Sequence, residues 1–175
     1  DALIVASYKW LLGIYGQGFA YFGDRLLGGQ PLEINWINKE RSYDFENLTD
    51  YIDDYQPCAA RYSMGEQSSY IAIAMVNESL ELLNQWGPSN IQTYAKSLTH
   101  DAWQILKSEG IIIDTSKPSH HMTGLRFNDQ WDMNHLQEKL KENNIVVSRR
   151  GTALRVSVNM YNEARDINAL VRTIL

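Results

Sequence analysis

The 175 residues suffice for one ordinary domain, or for one domain and part of a second, and 44% hydrophobic with 21% charged side chains is the composition of a folded globular chain, which excludes disorder. Sixteen basic against twenty-one acidic side chains leave a formal charge of −5, with no stripe of Lys and Arg suited to a nucleic-acid backbone. The apolar runs Ala2 to Ala6 and Ile111 to Ile113 fall far short of the roughly 20 residues that cross a bilayer, so neither a nucleic-acid nor a membrane partner is expected.

Ala2-Leu3-Ile4-Val5-Ala6 is a short, continuous, β-prone run, the pattern of a strand in a sheet covered on both faces. Ser7-Tyr8-Lys9-Trp10 ends it, Gly13, Gly16 and Gly18 punctuate a turn, and Gly18 to Phe22 reads as a second strand. From Gly28 to about Pro57 polar and aromatic residues alternate without a helical period. A connection of that length is either functional or a sign of a missed element. Ala72, Met75, Val76, Ser79, Leu80 and Leu83 then recur at spacings of three and four, predicting a helix that stops at Gly87-Pro88. Ile91, Tyr94, Ala95, Leu98, Ala102, Ile105 and Leu106 repeat the pattern up to Gly110, a residue suited to a left-handed C-cap.

Beyond it the sequence reads as strand Ile111 to Ile113, loop Asp114 to His120, strand Met122 to Phe127, helix Met133 to Glu142, strands Ile145 to Ser148 and Ala153 to Asn159, and a closing helix. Asp132 and Asn162 stand at N-cap positions, and Ile167, Leu170, Val171 and Ile174 share one face of the last helix. Strands mixed with helices throughout make an α/β fold with a small α/β sandwich at its end.

Lys9 draws attention first, because it follows a buried-type strand and precedes a glycine turn, a setting that can depress a lysine pKa and free the amine for Schiff-base chemistry. Solvated lysines at strand ends are also common. The run Ser7-Tyr8-Lys9-Trp10-Leu11-Leu12-Gly13, followed by Gly16, Gly18 and Phe19, resembles the cofactor-lysine segment of the class V aminotransferase family of fold-type I pyridoxal-phosphate (PLP) enzymes. Two further segments fit the family in order. Arg61-Tyr62-Ser63-Met64-Gly65-Glu66 resembles its Gly-containing turn, and Arg149 to Ser157, followed by Tyr161-Asn162 and a helix with Asp166, resembles its tail.

The resemblance implies the C-terminal part of a PLP enzyme. Residues 1–66 would close the PLP-binding large domain and its connection, 67–87 form an interdomain helix, and 88–175 make the small C-terminal α/β sandwich domain. Lys9 would carry PLP as a Schiff base, Ser7, Tyr8 and Gly65 would contact the cofactor, and Arg155 would hold the carboxylate of an amino acid substrate, for which a planar two-pronged guanidinium is suited. Glu66 stands where many family members have a phosphate-binding threonine, and Asn159 where they often have histidine. A carboxylate beside a phosphate is unfavourable without a positive partner. The acidic partner of the pyridine nitrogen would lie upstream, so the expectation is a piece of a longer protein, a homodimer with shared sites. Transamination, kynureninase-like hydrolytic cleavage, epimerisation and β-elimination all remain open, and a non-catalytic binding or dimerisation module is the alternative.

The remaining signals are weaker. His120-His121, His100 and His135 lack acidic or Cys partners at ligand spacing, so no metal site is expected. Cys58, the sole cysteine, excludes an internal disulfide and suits a reducing, cytoplasmic setting. Ser148, Arg149 and Arg150 occupy the stretch where a related cysteine desulfurase would carry its thiol, which disfavours that chemistry. Ser68 or Ser69 is expected to cap the first long helix. The five tryptophans are dispersed, with Trp36 placed to line a site or a subunit contact.

Overall fold

A computed structural model describes residues 1–67, 69–114 and 119–175, so Ser68 and part of the expected 114–120 loop lie outside the described residues. The chain divides into two compact units, Asp1–Gln85 and Trp86–Leu175.

In the first unit, β1 (Ala2–Ala6) and β2 (Gly18–Phe22) pair antiparallel, with Ala2 opposite Phe22 and Ala6 opposite Gly18. Both strands form where the sequence puts them. Their burial departs from the expected sheet covered on both faces: Ile4 is 76% and Tyr21 66% exposed, while Phe22 is half-buried against the Tyr62 ring. α1 (Tyr70–Trp86) buries Ala72, Val76 and Leu83, while Met75 of the expected stripe is exposed. The carbonyl of Ser69 accepts from the Ile73 amide at the start of this helix.

The long connection contains one short 3-10 helix, Phe45–Asn47, and one isolated bridge between Lys39 and Tyr55, and two more 3-10 helices flank it at Asp24–Leu26 and Cys58–Tyr62. Side chains replace the missing backbone ladder. The buried Asn38 donates to the Glu33 carbonyl at 2.6 Å, Asn35 Oδ1 accepts from the Ile37 and Asn38 amides, and Gln56 Nε2 reaches Ser42 Oγ at 2.8 Å and the Ile37 carbonyl at 3.1 Å. Irregular backbone can be buried when each polar group finds a partner in this way.

The second unit is a two-layer α/β sandwich. Its antiparallel sheet has the order β3-β4-β6-β5, with β3 at Ile112–Ile113, β4 at Met122–Arg126, β5 at Ser148–Arg150 and β6 at Ala153–Ser157. α2 (Pro88–Ser108), α3 (Met133–Glu142) and α4 (Ala164–Ile174) supply the helices. Alternation along β4 and β6 turns Leu125, Leu154 and Val156 into a core shared with Trp103, Leu106, Leu136, Leu140, Leu170 and Ile174.

The helix ends follow from sequence chemistry. Pro88 opens α2 at a position where its missing N–H costs nothing, and Gly110, at φ +84°, closes it with a paired backbone motif: Ile111 N–H donates to the Leu106 carbonyl, Gly110 N–H to that of Lys107. Asn144, at φ +56°, repeats this after α3, where Ile145 donates to Leu140 and Asn144 to Lys141. That motif explains a departure from the expected strand 145–148. Ile145 is committed to the helix stop, Val146 is 97% exposed, and the ladder begins only at Ser148.

The cap of α4 also differs from expectation. Glu163, not Asn162, is the N-cap, in a reciprocal box with Asp166. Asn162 instead accepts from the Asn159 amide through Oδ1 and donates to Asp166 through Nδ2. β6 therefore ends at Ser157, two residues before the expected limit, as the chain turns into this loop. No helix among the described residues is long and apolar enough to cross a membrane.

Candidate active site

The first cluster is built on the end of β1. Ser7 is fully buried, and its hydroxyl lies 2.9 Å from the carbonyls of both Ile14 and Gln17. Its amide donates to the Gln17 carbonyl at 3.1 Å, and its own carbonyl accepts from Gly13 at 2.9 Å. Gly13 is required there, since a Cβ would come within 2.7 Å of Ser7 Oγ. Gly16, at φ +84°, lets the segment double back onto the strand. Ser7 thus fastens the glycine turn, a different employment for its single hydroxyl proton from the cofactor contact that the resemblance implies.

The next two residues face outward from this anchored base. Tyr8 is half-buried and stacks on Tyr15, with ring centroids 4.3 Å apart and planes 21° from parallel. Its hydroxyl makes no hydrogen bond among the described residues. Lys9 is exposed, with Nζ 5.1 Å from the centroid of the Tyr8 ring. The Lys9 carbonyl accepts from Leu12, which sits at φ +55°, and Ser79 of α1 donates to the Leu12 carbonyl at 2.9 Å. The lysine is therefore held by its backbone while its amine stays accessible.

Gly65 lies in a groove between the hairpin and the segment before α1, lined by Val5, Gly18, Phe22, Tyr62, Gly65 and Glu66; Lys9 is not part of that lining. The Gly65 amide donates to Glu33 Oε1 at 2.8 Å, and Asn35 Nδ2 donates to the same oxygen at 2.9 Å. Glu66 takes φ +58° to complete the turn. Glu33 and Tyr15 are the site-building residues that sequence reading missed. Neither belongs to a motif, and the 32-residue separation between Glu33 and Gly65 hides their contact.

Arg155 belongs to the second unit, in the middle of β6. It is half-buried on the sheet face opposite the core, directly across from Gly124 on β4 and Ser148 on β5, and one guanidinium nitrogen lies 3.3 Å from Ser148 Oγ. At the start of β4, Gln92 accepts from the His120 amide and places its Nε2 2.7 Å from His121 Nδ1. Burial, helped by the neighbouring His120, holds the His121 ring below its ordinary pKa of 6.5. Cys58 is a free, exposed thiol at the start of a 3-10 turn. Trp36 meets Phe45 edge to face at 6.1 Å.

No family model matches the chain. A curated relative, an uncharacterized protein of Schizosaccharomyces pombe, is 28% identical over 125 residues, which are 69% of this chain and 27% of that protein. Solved structures agree far more extensively in shape. The cystine C-S lyase C-DES, in complex with its product cysteine persulfide, superposes with a TM-score of 0.75 at 17% identity over 95% of this chain and 44% of its own. The cysteine desulfurase CsdA of Escherichia coli gives 0.74 at 19% identity over 99% and 45%. An alanine–glyoxylate aminotransferase of Nostoc sp. gives 0.63 at 18% identity over 99% and 47%. The chain has the fold of the C-terminal part of the PLP-transferases. It spans less than half the length of these structures and about a quarter of the curated relative. One further match with this PLP-transferase fold is a lysine-to-alanine variant of C-DES carrying glycine covalently linked to its PLP cofactor.

Proposed function

We propose that this chain is part of a PLP-dependent enzyme acting on an amino acid, with Lys9 as the residue that carries the cofactor and Arg155 as the group that binds the substrate carboxylate. The observation that carries the reading is the placing of Lys9, an accessible amine on a backbone fixed by the Ser7 turn, within a chain of PLP-transferase fold. Bound PLP supplies an electron sink that stabilises negative charge at the substrate's α-carbon. Lys9 holds the cofactor and moves the proton at that carbon. Arg155 orients the substrate by two parallel charge-assisted hydrogen bonds.

Of the three other cofactor contacts implied by the resemblance, Tyr8 fits best, because its hydroxyl has no partner among the described residues. Ser7 and Gly65 already direct their donors at protein oxygens. Homodimerisation and a cytoplasmic location go with this reading. Within it we favour amino-group transfer over sulfur mobilisation, since Ser148, Arg149 and Arg150 stand where a desulfurase thiol is expected and the one cysteine, Cys58, is in the other unit.

The test is chemical. Full-length natural protein mixed with PLP, reduced with borohydride and mapped by mass spectrometry is expected to carry phosphopyridoxyl on Lys9, and Lys9→Ala is expected to abolish it. A folded full-length protein that gains no adduct would overturn the reading and leave a non-catalytic module.

A further inference from the structure

The register of the second unit's sheet fixes what lies on its outer face. Residues directly opposite one another share a face, and so do residues two apart along a strand. One row across the sheet reads Ile112, Arg126, Ala153, Arg150, the next Gly124, Arg155, Ser148, and the third Met122, Ser157. These ladder positions carry three arginines and no carboxylate, in a chain with five more acidic than basic side chains. None of the three arginines forms an ion pair with a described residue. Arg126 and Arg150 are exposed on either side of Ala153, roughly 10 Å apart by strand spacing, and Arg155 lies one row along.

The floor between them is open. Glycine in a strand interior weakens the strand and often marks a place where a ligand comes close to the backbone. Gly124 sits in the middle of β4 with an ordinary backbone, and a Cβ built on it meets nothing within 4 Å, so no neighbouring side chain requires its smallness. Ala153, the next floor residue on the diagonal, is also small. Together they leave a floor of small residues on the face that carries Arg126, Arg150, Arg155 and Ser148.

We propose that this face binds a dicarboxylate, so that the substrate is an amino acid with an acidic side chain or the matching oxo-diacid. One carboxylate lies on Arg155 above Gly124, and the second lies between Arg126 and Arg150 above Ala153. The two rows are separated by about 7 Å, a gap that the long arginine side chains close onto a diacid of four or five carbons. Arg126 and Arg150 then determine specificity, because a neutral side chain would leave two cations facing an apolar group. The assignment of the first carboxylate rests on the reading of Arg155 given above; the second does not.

Calorimetric titration of the full-length protein with glutarate and with butyrate tests this without turnover. Glutarate is expected to bind about tenfold more tightly, the difference made by charge-assisted hydrogen bonds at the second carboxylate. Arg126→Met is expected to bring the two affinities within about twofold of each other by the same argument. Gly124→Val fills the floor and is expected to weaken both ligands without lowering the melting temperature, since a β-branched residue suits an open strand position. Equal binding of the two acids, binding of neither, or unchanged affinities in Gly124→Val would overturn the proposal. The borohydride adduct on Lys9 is read separately, so loss of the adduct with retained preference for glutarate would bring down the cofactor assignment and leave this binding face standing.

Discussion

With its hydroxyl between the carbonyls of Ile14 and Gln17, Ser7 has no second proton to offer a phosphate oxygen. The role we propose for it is mechanical: it pins the glycine turn to the strand end and so fixes where the backbone of Tyr8 and Lys9 stands. Pyridoxal, which lacks the phosphate, separates the two roles. In Ser7→Ala the borohydride-trapped fraction is expected to fall by a similar factor for PLP and for pyridoxal, with a stability loss of about 1 kcal/mol from the deleted hydrogen bond. A loss confined to PLP would make Ser7 a phosphate contact after all. Gly13 belongs to the same argument, because any side chain there would displace the Ser7 hydroxyl and release the turn.

At the scale of the elements, local chemistry settles the boundaries. Asp132 caps α3 by accepting from the amides of His135 and Asn134, and these two hydrogen bonds, the former foremost, hold its carboxyl below the usual 3.8. A carboxyl depressed by folding contributes stability that is present above the unfolded value and is lost as pH falls through the folded one. Asp132→Ala is therefore expected to melt at a lower temperature than the parent at neutral pH, and the gap to close as the pH drops below about 3.8. Asp132→Asn, which keeps an acceptor, is expected to stay near the parent at neutral pH; an alanine variant as stable as the parent at that pH would refute the cap. The same chemistry explains what could be read in advance. Asp132, Pro88 and Gly110 are local signals, and α2 and α3 run within a residue or two of where they point. Val146 and Val147 look like strand residues by propensity, yet Asn144 takes the left-handed conformation and spends Ile145 on stopping α3. In the candidate site, the glycine turn that carries Lys9 was legible because its residues are contiguous in sequence. The hold of Glu33 on Gly65 and the row of Arg126, Ala153 and Arg150 arise only when distant segments pair, and a one-dimensional reading carries no trace of them.

For the whole molecule, the two units differ in how their apolar surface is covered. The hydrophobic core runs from Ala95 to Ile174 and lies wholly in the second unit, whereas the buried apolar side chains of the first are Pro31, Ala72, Val76 and Leu83 among the described residues. The first unit is held by buried polar groups, Ser7, Asn38, Ser42 and Gln56, and it leaves Leu3, Ile4, Tyr21, Tyr70 and Ile71 open to solvent. Burial of apolar area is the main favourable term in folding, and directional polar networks fix a shape without supplying that term. Expressed separately, residues 86–175 are expected to unfold in a single cooperative urea transition, and residues 1–85 to show a broad, weak transition and to bind the dye ANS. Within the first fragment the exposed hairpin edge is the site of expected self-association, because two apolar strands without a covering layer pair readily with another chain. Cooperative unfolding of 1–85 without ANS binding would show that its polar network suffices. Dye binding by 86–175 would show instead that the second unit's core is not closed by its own helices.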